Sequence, residues 1–229
     1  MQKVAQALWR DILPAAPAFT TSQAAAAAGV GVDQASRALA RLARLDLITR
    51  VTRGVWADTR SPRFSPYAVV PPLLALSAPA GAGYVSLLSA LSLHGMIQQV
   101  PRLIHVVGSR RARRTRRTSV GTYRFHLMRR DLVDGFVLHE SGTFSLATPA
   151  KALFDTLYLS VRKGARYAHL PEVFLPVGFR HSELAGWIAR IESAPLRVAV
   201  TRRWHTTRLA TQRGSALSRQ DASTITILR

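Results

Sequence analysis

Apolar positions near the start of the chain recur with a helical period. Val4, Ala5, Leu8, Trp9 and Ile12 share one face of residues 2–13, and Pro14 ends the run. A second helix is expected after the hydroxyls of Thr20, Thr21 and Ser22, through an alanine-rich stretch that Gly29-Val30-Gly31 breaks. Asp33 is suited to cap a third. There Ala35, Ala38, Leu39, Leu42 and Leu45 stand at i, i+3, i+4 and i+7 spacing, with Gln34, Arg37, Arg41 and Arg44 opposite. Leu47 to Val51 has strand composition, Thr52-Arg53-Gly54 that of a turn, and Val55-Trp56 that of a returning strand. Helix, three-residue turn, helix and hairpin in this order predict a winged helix-turn-helix over residues 1–60.

The pattern then changes. Pro62 and Pro66 flank Phe64, and Pro71-Pro72 follow, so residues 61–83 read as a connection with room for a short helix at Pro72 to Ser77. Beyond it, Ser86 is placed to cap a helix carrying Leu87, Leu88, Ala90 and Leu91 up to Gly95. Leu103 to Val107 is a β-branched run, and a second begins at Gly121 with Tyr123, Phe125 and Leu127 on one side. Phe136 to His139 and Phe144 to Ala147 read as strands around Ser141-Gly142. Thr148-Pro149 opens a helix bearing Ala152, Leu153, Leu157 and Tyr158, which ends near Lys163-Gly164. Ser182 is expected to cap a last helix to Glu192. The fold class is therefore α+β: a winged helix-turn-helix, then a mixed α/β domain over residues 84–210. Residues 211–229 show no sustained pattern and read as a loose tail.

Charge sharpens this outline. The 229 residues carry 32 basic and 12 acidic side chains, a formal net charge of +20, which favours polyanionic partners over acidic small molecules. Only Lys3, Lys151 and Lys163 are lysines. Because arginine- and alanine-rich usage also follows from GC-rich coding, where the charges fall says more than their number. A DNA major groove admits one helix whose side chains meet base edges while neighbouring cations meet phosphates. Gln34, Ser36 and Arg37 lie in the first turns of the third helix, so Gln34 and Arg37 are expected to read bases. Arg41, Arg44, Arg50 and Arg53 are better placed for the backbone. A further run holds Arg110, Arg111, Arg113, Arg114, Arg116 and Arg117 within eight residues. Read as a loop between strands, it repels itself unless an anion neutralises it. Six to ten phosphate contacts in all would weaken binding about a thousand-fold or more between 50 and 200 mM salt.

Other classes are disfavoured. There is no cysteine, hence no disulfide, thiolate metal site or cysteine nucleophile, which suits a reducing cytoplasm. The N-terminus does not read as a signal peptide. The most apolar stretch, residues 67–97, is broken by Pro71, Pro72, Pro79, Gly81 and Gly83, short of the ~20 residues a membrane helix needs. A metal-dependent nuclease needs clustered carboxylates, commonly with lysine two residues beyond one of them. None of Asp131, Asp134, Glu140, Asp155, Glu172, Glu183, Glu192 or Asp221 has that lysine, and Asp131 and Asp134 fit a turn. No HExxH, P-loop or nucleophile elbow occurs, and nothing identifies a small-molecule ligand for a sensor domain. No catalytic residue, metal or cofactor is expected.

Three stretches add a family likeness to the N-terminal unit: YVSLLSALSLHGMIQQVP at Tyr84 to Pro101, RRARRTRRTSVGTYRFHLM at Arg110 to Met128, and LATPAKALFDTLYL at Leu146 to Leu159. Over roughly residues 4–200 the chain resembles the AbiEi-type antitoxins of type IV toxin-antitoxin systems. Lys151 and Asp155 match that pattern, whereas Ala150 stands where a glutamate is common. The resemblance implies a non-enzymatic, cytoplasmic autorepressor binding double-stranded DNA at inverted repeats in its own promoter. It also implies that the C-terminal domain antagonises a nucleotidyltransferase-like toxin, without a stable complex being required. No dimer seam is visible, so a monomer in solution or a dimer on DNA is expected.

Overall fold

The computed structural model describes residues 2–77, 83–109, 115–162 and 170–208. The chain is a mixed α+β protein that divides into two compact units: residues 1–85 with 102–147, and residues 86–101 with 148–229. Among the described residues no helix is long and apolar enough to cross a membrane.

In the first unit, α1 (Gln2–Ala7) runs into a π-helical turn at Leu8–Ile12, closed by Leu13 N–H to the Leu8 carbonyl at 2.9 Å. That wider turn alters the 3.6-residue spacing, and Trp9, expected on the buried face, is 44% exposed. β1 (Ala18–Thr20) follows, too short to show a period in sequence. Thr20 then starts α2 (Thr21–Ala28) through a reciprocal cap: its Oγ1 accepts from Gln23 N–H at 3.1 Å, and Gln23 Oε1 accepts from Thr20 N–H at 2.7 Å. Gly29, at φ 60°, ends the helix in the left-handed region.

α3 (Val32–Arg44) starts one position ahead of the expected cap, with Gly31 at the N-cap. Asp33 instead sits in the first turn, where its charge complements the positive end of the helix dipole. Ala35, Ala38, Leu39 and Leu42 are buried, but Leu45 is 59% exposed because the helix stops before it. Their core partners are Val4, Leu8, Phe19, Ala24, Ile48 and Trp56. β2 (Thr49–Thr52) and β3 (Val55–Ala57) complete an antiparallel sheet of order β1-β3-β2, pairing Phe19 with Trp56 and Arg50 with Trp56. Trp56 Nε1 donates to Thr21 Oγ1 at 2.9 Å, which fixes the sheet to the start of α2.

A 3₁₀ turn at Pro66–Val69 leads into α4 (Val70–Ser77), which begins two residues before the position the sequence suggests. The second sheet contains β4 (Gly83–Val85), β5 (Ile104–Gly108), β6 (Thr115–Thr118), β7 (Gly121–Leu127), β8 (Phe136–Leu138) and β9 (Ser145–Ala147). Its order is β6-β7-β5-β4-β9-β8, with β5–β7 and β4–β9 parallel and the other pairs antiparallel. Tyr84, Val106, Val107, Tyr123 and Leu146 are buried, whereas Leu127, expected to join Tyr123 and Phe125, is 46% exposed at the strand end.

The second unit is helical in its described part: α5 (Leu87–Leu93), α6 (Pro149–Ser160), α7 (His181–Ala189) and α8 at 194–208. Thr148 caps α6, accepting from Lys151 N–H at 3.2 Å, and also donates to Glu183 Oε1 at 2.6 Å. Arg180, not Ser182, holds the N-cap position of α7. Every residue of α6 from Ala150 to Tyr158 is buried, Lys151 and Asp155 included. Lys151 Nζ is paired with Asp155 Oδ1, and Ser86 Oγ donates to Asp155 Oδ2 at 2.7 Å. Ser86 does occupy the N-cap position of α5, but its hydroxyl serves Asp155 rather than the helix. The next residue, Leu87, is held at φ 51°, a strained value for a side chain of that size.

Candidate nucleic-acid interface

α3 lays its apolar stripe on the core and so turns Gln34, Arg37, Arg41 and Arg44 to solvent, with Ser36 half-buried at the edge. Arg50 on β2 and Arg53 in the following turn are exposed as well. Three other surface arginines are neutralised locally: Arg10 by Asp11, Arg129 by Asp131 and Arg180 by Glu183. Among the described residues, none of Arg37, Arg41, Arg44, Arg50 or Arg53 is in an ion pair. Arg50 also lies over the ring of its cross-strand partner Trp56, 5.6 Å from the centroid, which stiffens it at little entropic cost.

The turn after β2 needs Gly54. Its φ is 80°, and a Cβ there would meet the Leu76 side chain at 3.3 Å. The hairpin is also tied to the larger sheet, which no local sequence signal announced. Ser119 donates from its backbone N–H to the Val51 carbonyl at 3.2 Å and from Oγ to the Arg50 carbonyl at 3.1 Å.

This contact brings the end of the strand that carries Arg116 and Arg117 to the hairpin. Arg116 and Arg117, expected in a loop, are on strand β6, paired with Tyr123 and Thr122 of β7. Strand pairing is available to them because alternate side chains clear the sheet, so like charges need not face each other. Arg117 is exposed and Arg116 half-buried. Arg110, Arg111, Arg113 and Arg114 lie outside the described residues.

Two polar clusters elsewhere have other properties. His105 Nδ1 and His126 Nε2 are 3.1 Å apart across β5 and β7. Burial, then the Arg124 charge, pushes His105 down to about 4; burial, then His105 and Arg124, pushes His126 down to about 3. The pair is neutral near pH 7. In the other cluster, Lys151 Nζ sits 4.8 Å from the Phe154 ring centroid and 4.6 Å from that of Trp187, closing the Lys151–Asp155–Ser86 group off from water. Its i,i+4 spacing in an otherwise apolar helix was the only sequence sign of it. Asp131 accepts from Arg129 through both carboxylate oxygens, and Asp134 accepts from Gly135 N–H at 2.7 Å. Among the described residues no cluster of three or more His, Asp or Glu could hold a metal ion.

Comparison of the chain with protein-family models and with curated proteins returned no match.

Proposed function

We propose that residues 2–57 are a winged helix-turn-helix that binds double-stranded DNA, and that the protein is an antitoxin and autorepressor of a type IV toxin-antitoxin operon. The observation that carries the DNA reading is the set of exposed arginines on α3 and the β2–β3 hairpin, which form no ion pair among the described residues. Such cations favour a polyanion, and a helix with its buried stripe on one side and Gln34 and Arg37 on the other matches groove entry. Gln34 and Arg37 read base edges. Ser36, Arg41, Arg44, Arg50, Arg53 and the Arg110–Arg117 stretch hold the sugar-phosphate backbone.

The antitoxin role rests on the likeness of the Tyr84–Pro101, Arg110–Met128 and Leu146–Leu159 stretches to that family. On this reading the protein is cytoplasmic and non-enzymatic, acts without metal or cofactor, and binds inverted repeats in its promoter as a monomer or a dimer. Its antagonism of a nucleotidyltransferase-like toxin is tested by co-expression with such a toxin: growth is restored by the full chain if the assignment is right and stays arrested if it is wrong.

DNA binding is tested by fluorescence anisotropy on the gene's own promoter and on scrambled duplex at several salt concentrations. Each phosphate contact contributes about 0.9 to the slope of log K against log salt. Replacing Arg41, Arg44, Arg50 and Arg53 together by alanine should lower that slope by about 3.6. Arg37→Ala should instead cost about 1–3 kcal/mol on the promoter and much less on scrambled duplex. Identical effects of the two variants on both duplexes would refute the division between base and phosphate contacts. A wild-type affinity indifferent to salt would refute DNA binding by this surface.

A further inference from the structure

A groove of about 860 Å³ lies between α7 and α8 in the second unit. Its apolar lining includes Leu184, Ile188, Val198 and Trp204, and Val198 is 57% exposed. Arg197, Arg202, Arg208, His181 and His205 line it as well, and among the described residues no acidic one does. Arg197 is anchored by a 2.6 Å bond from Nη1 to the Ile191 carbonyl, while Arg202 and Arg208 are exposed. The groove is thus apolar within and cationic around, an arrangement that selects its occupant by charge as well as by shape.

Three occupants fit poorly. A second copy of this face would set one arginine rim against another. Residues 209–229 of the same chain carry Arg213, Arg219 and Arg229 against Asp221 alone, again the wrong sign. A nucleic-acid strand needs open rings on which to stack its bases. The indole here, Trp204, is buried and packed near Phe179 and His181, at centroid distances of 6.5 and 6.1 Å, and the two lining imidazoles, His181 and His205, offer far less stacking area and leave the aliphatic floor unused. What remains is a protein segment of opposite charge. Two neighbouring helices offer a seat for a third through side-chain ridges and grooves, and the 15 residues of α8 span roughly 22 Å, about four turns of a partner helix.

We propose that the α7–α8 groove docks an amphipathic helix of another protein, whose aliphatic stripe meets Ala185, Ile188 and Val198 and whose flanking Asp and Glu meet Arg202 and Arg208. This site shares no residue with the DNA surface, so either proposal stands if the other fails.

The test uses the full chain as bait for a phage-displayed library of 16-residue helical peptides with random surface positions. Enriched peptides should carry Leu, Ile or Val at i, i+4 and i+7 with a net charge of −3 or more negative. A synthetic representative should bind with micromolar Kd by anisotropy. Val198→Glu and, separately, Arg202→Glu with Arg208→Glu should each weaken it at least ten-fold. Val198→Ser, which adds no charge, should weaken it several-fold, with unchanged far-ultraviolet circular dichroism in every variant. Enrichment of basic or neutral peptides, no enrichment, or binding indifferent to all these variants overturns the proposal. So does displacement of the peptide by a 12-nucleotide DNA strand, which would make the groove a nucleic-acid site instead.

Discussion

Replacing Lys151 by methionine keeps most of the side-chain volume but removes a cation paired with Asp155 inside α6. Both groups have no solvent exposure, and the Ser86 hydroxyl that donates to Asp155 carries no compensating charge. Breaking a buried pair from one side costs about 3–5 kcal/mol, because the surviving charge is stranded in a medium that solvates it poorly. Replacing both partners, as Lys151→Met with Asp155→Leu, removes the two buried charges together and leaves the Ser86 hydroxyl without its acceptor, at about 1–3 kcal/mol. The double variant should therefore be more stable than the Lys151→Met single variant, a coupling of at least about 2 kcal/mol. Trp187, whose ring lies against Lys151 Nζ, contributes to the tryptophan fluorescence that follows a urea titration. With m near 2 kcal/mol/M, the single variant should unfold about 2 M earlier than the wild type. If the double variant loses as much as the two single variants summed, the pair has no coupling and the account of the α6 interior is wrong.

The neutral histidine pair makes stability depend on acid. Both folded pKa values lie below the ordinary 6.5, so the unfolded chain binds more protons between them, and the contribution is full above pH 6.5 and lost as pH falls toward about 4. Going from pH 7 to 5 should cost about 4 kcal/mol by denaturant titration, and His105→Gln with His126→Gln should flatten that difference; an unchanged pH profile would refute it. Thr20→Ala removes one half of the α2 cap and should lower stability by about 1 kcal/mol, read as a drop in thermal midpoint, with the Gln23→Ala variant adding little. Gly54→Ala forces a side chain onto φ 80° and against Leu76, at about 1–3 kcal/mol. It should weaken promoter binding while leaving the salt slope intact, since no phosphate contact is deleted; a flatter slope would contradict that.

Interactions within a few residues were readable in the linear chain. The α3 stripe, the Gly29 break, the Thr20 and Thr148 caps and the two-stranded hairpin each depend on neighbours eight positions away or fewer, so composition and spacing carry them. The exposed arginine face of α3 follows from the same periodicity, because burying one side of a helix exposes the other. Caps were less secure where two candidates stood close together, and Gly31 and Arg180 displaced Asp33 and Ser182. Non-local pairing was another matter. Ser86 meets Asp155, and Ser119 meets Arg50, across 69 residues of chain each, and no local pattern encodes such a partner. β1, the strand made from Arg116 and Arg117, and the contact of His105 with His126 all arise from sheet pairing that only the folded chain brings about. Periodicity governs which side of an element faces inward; which distant group it meets there depends on how the whole chain closes.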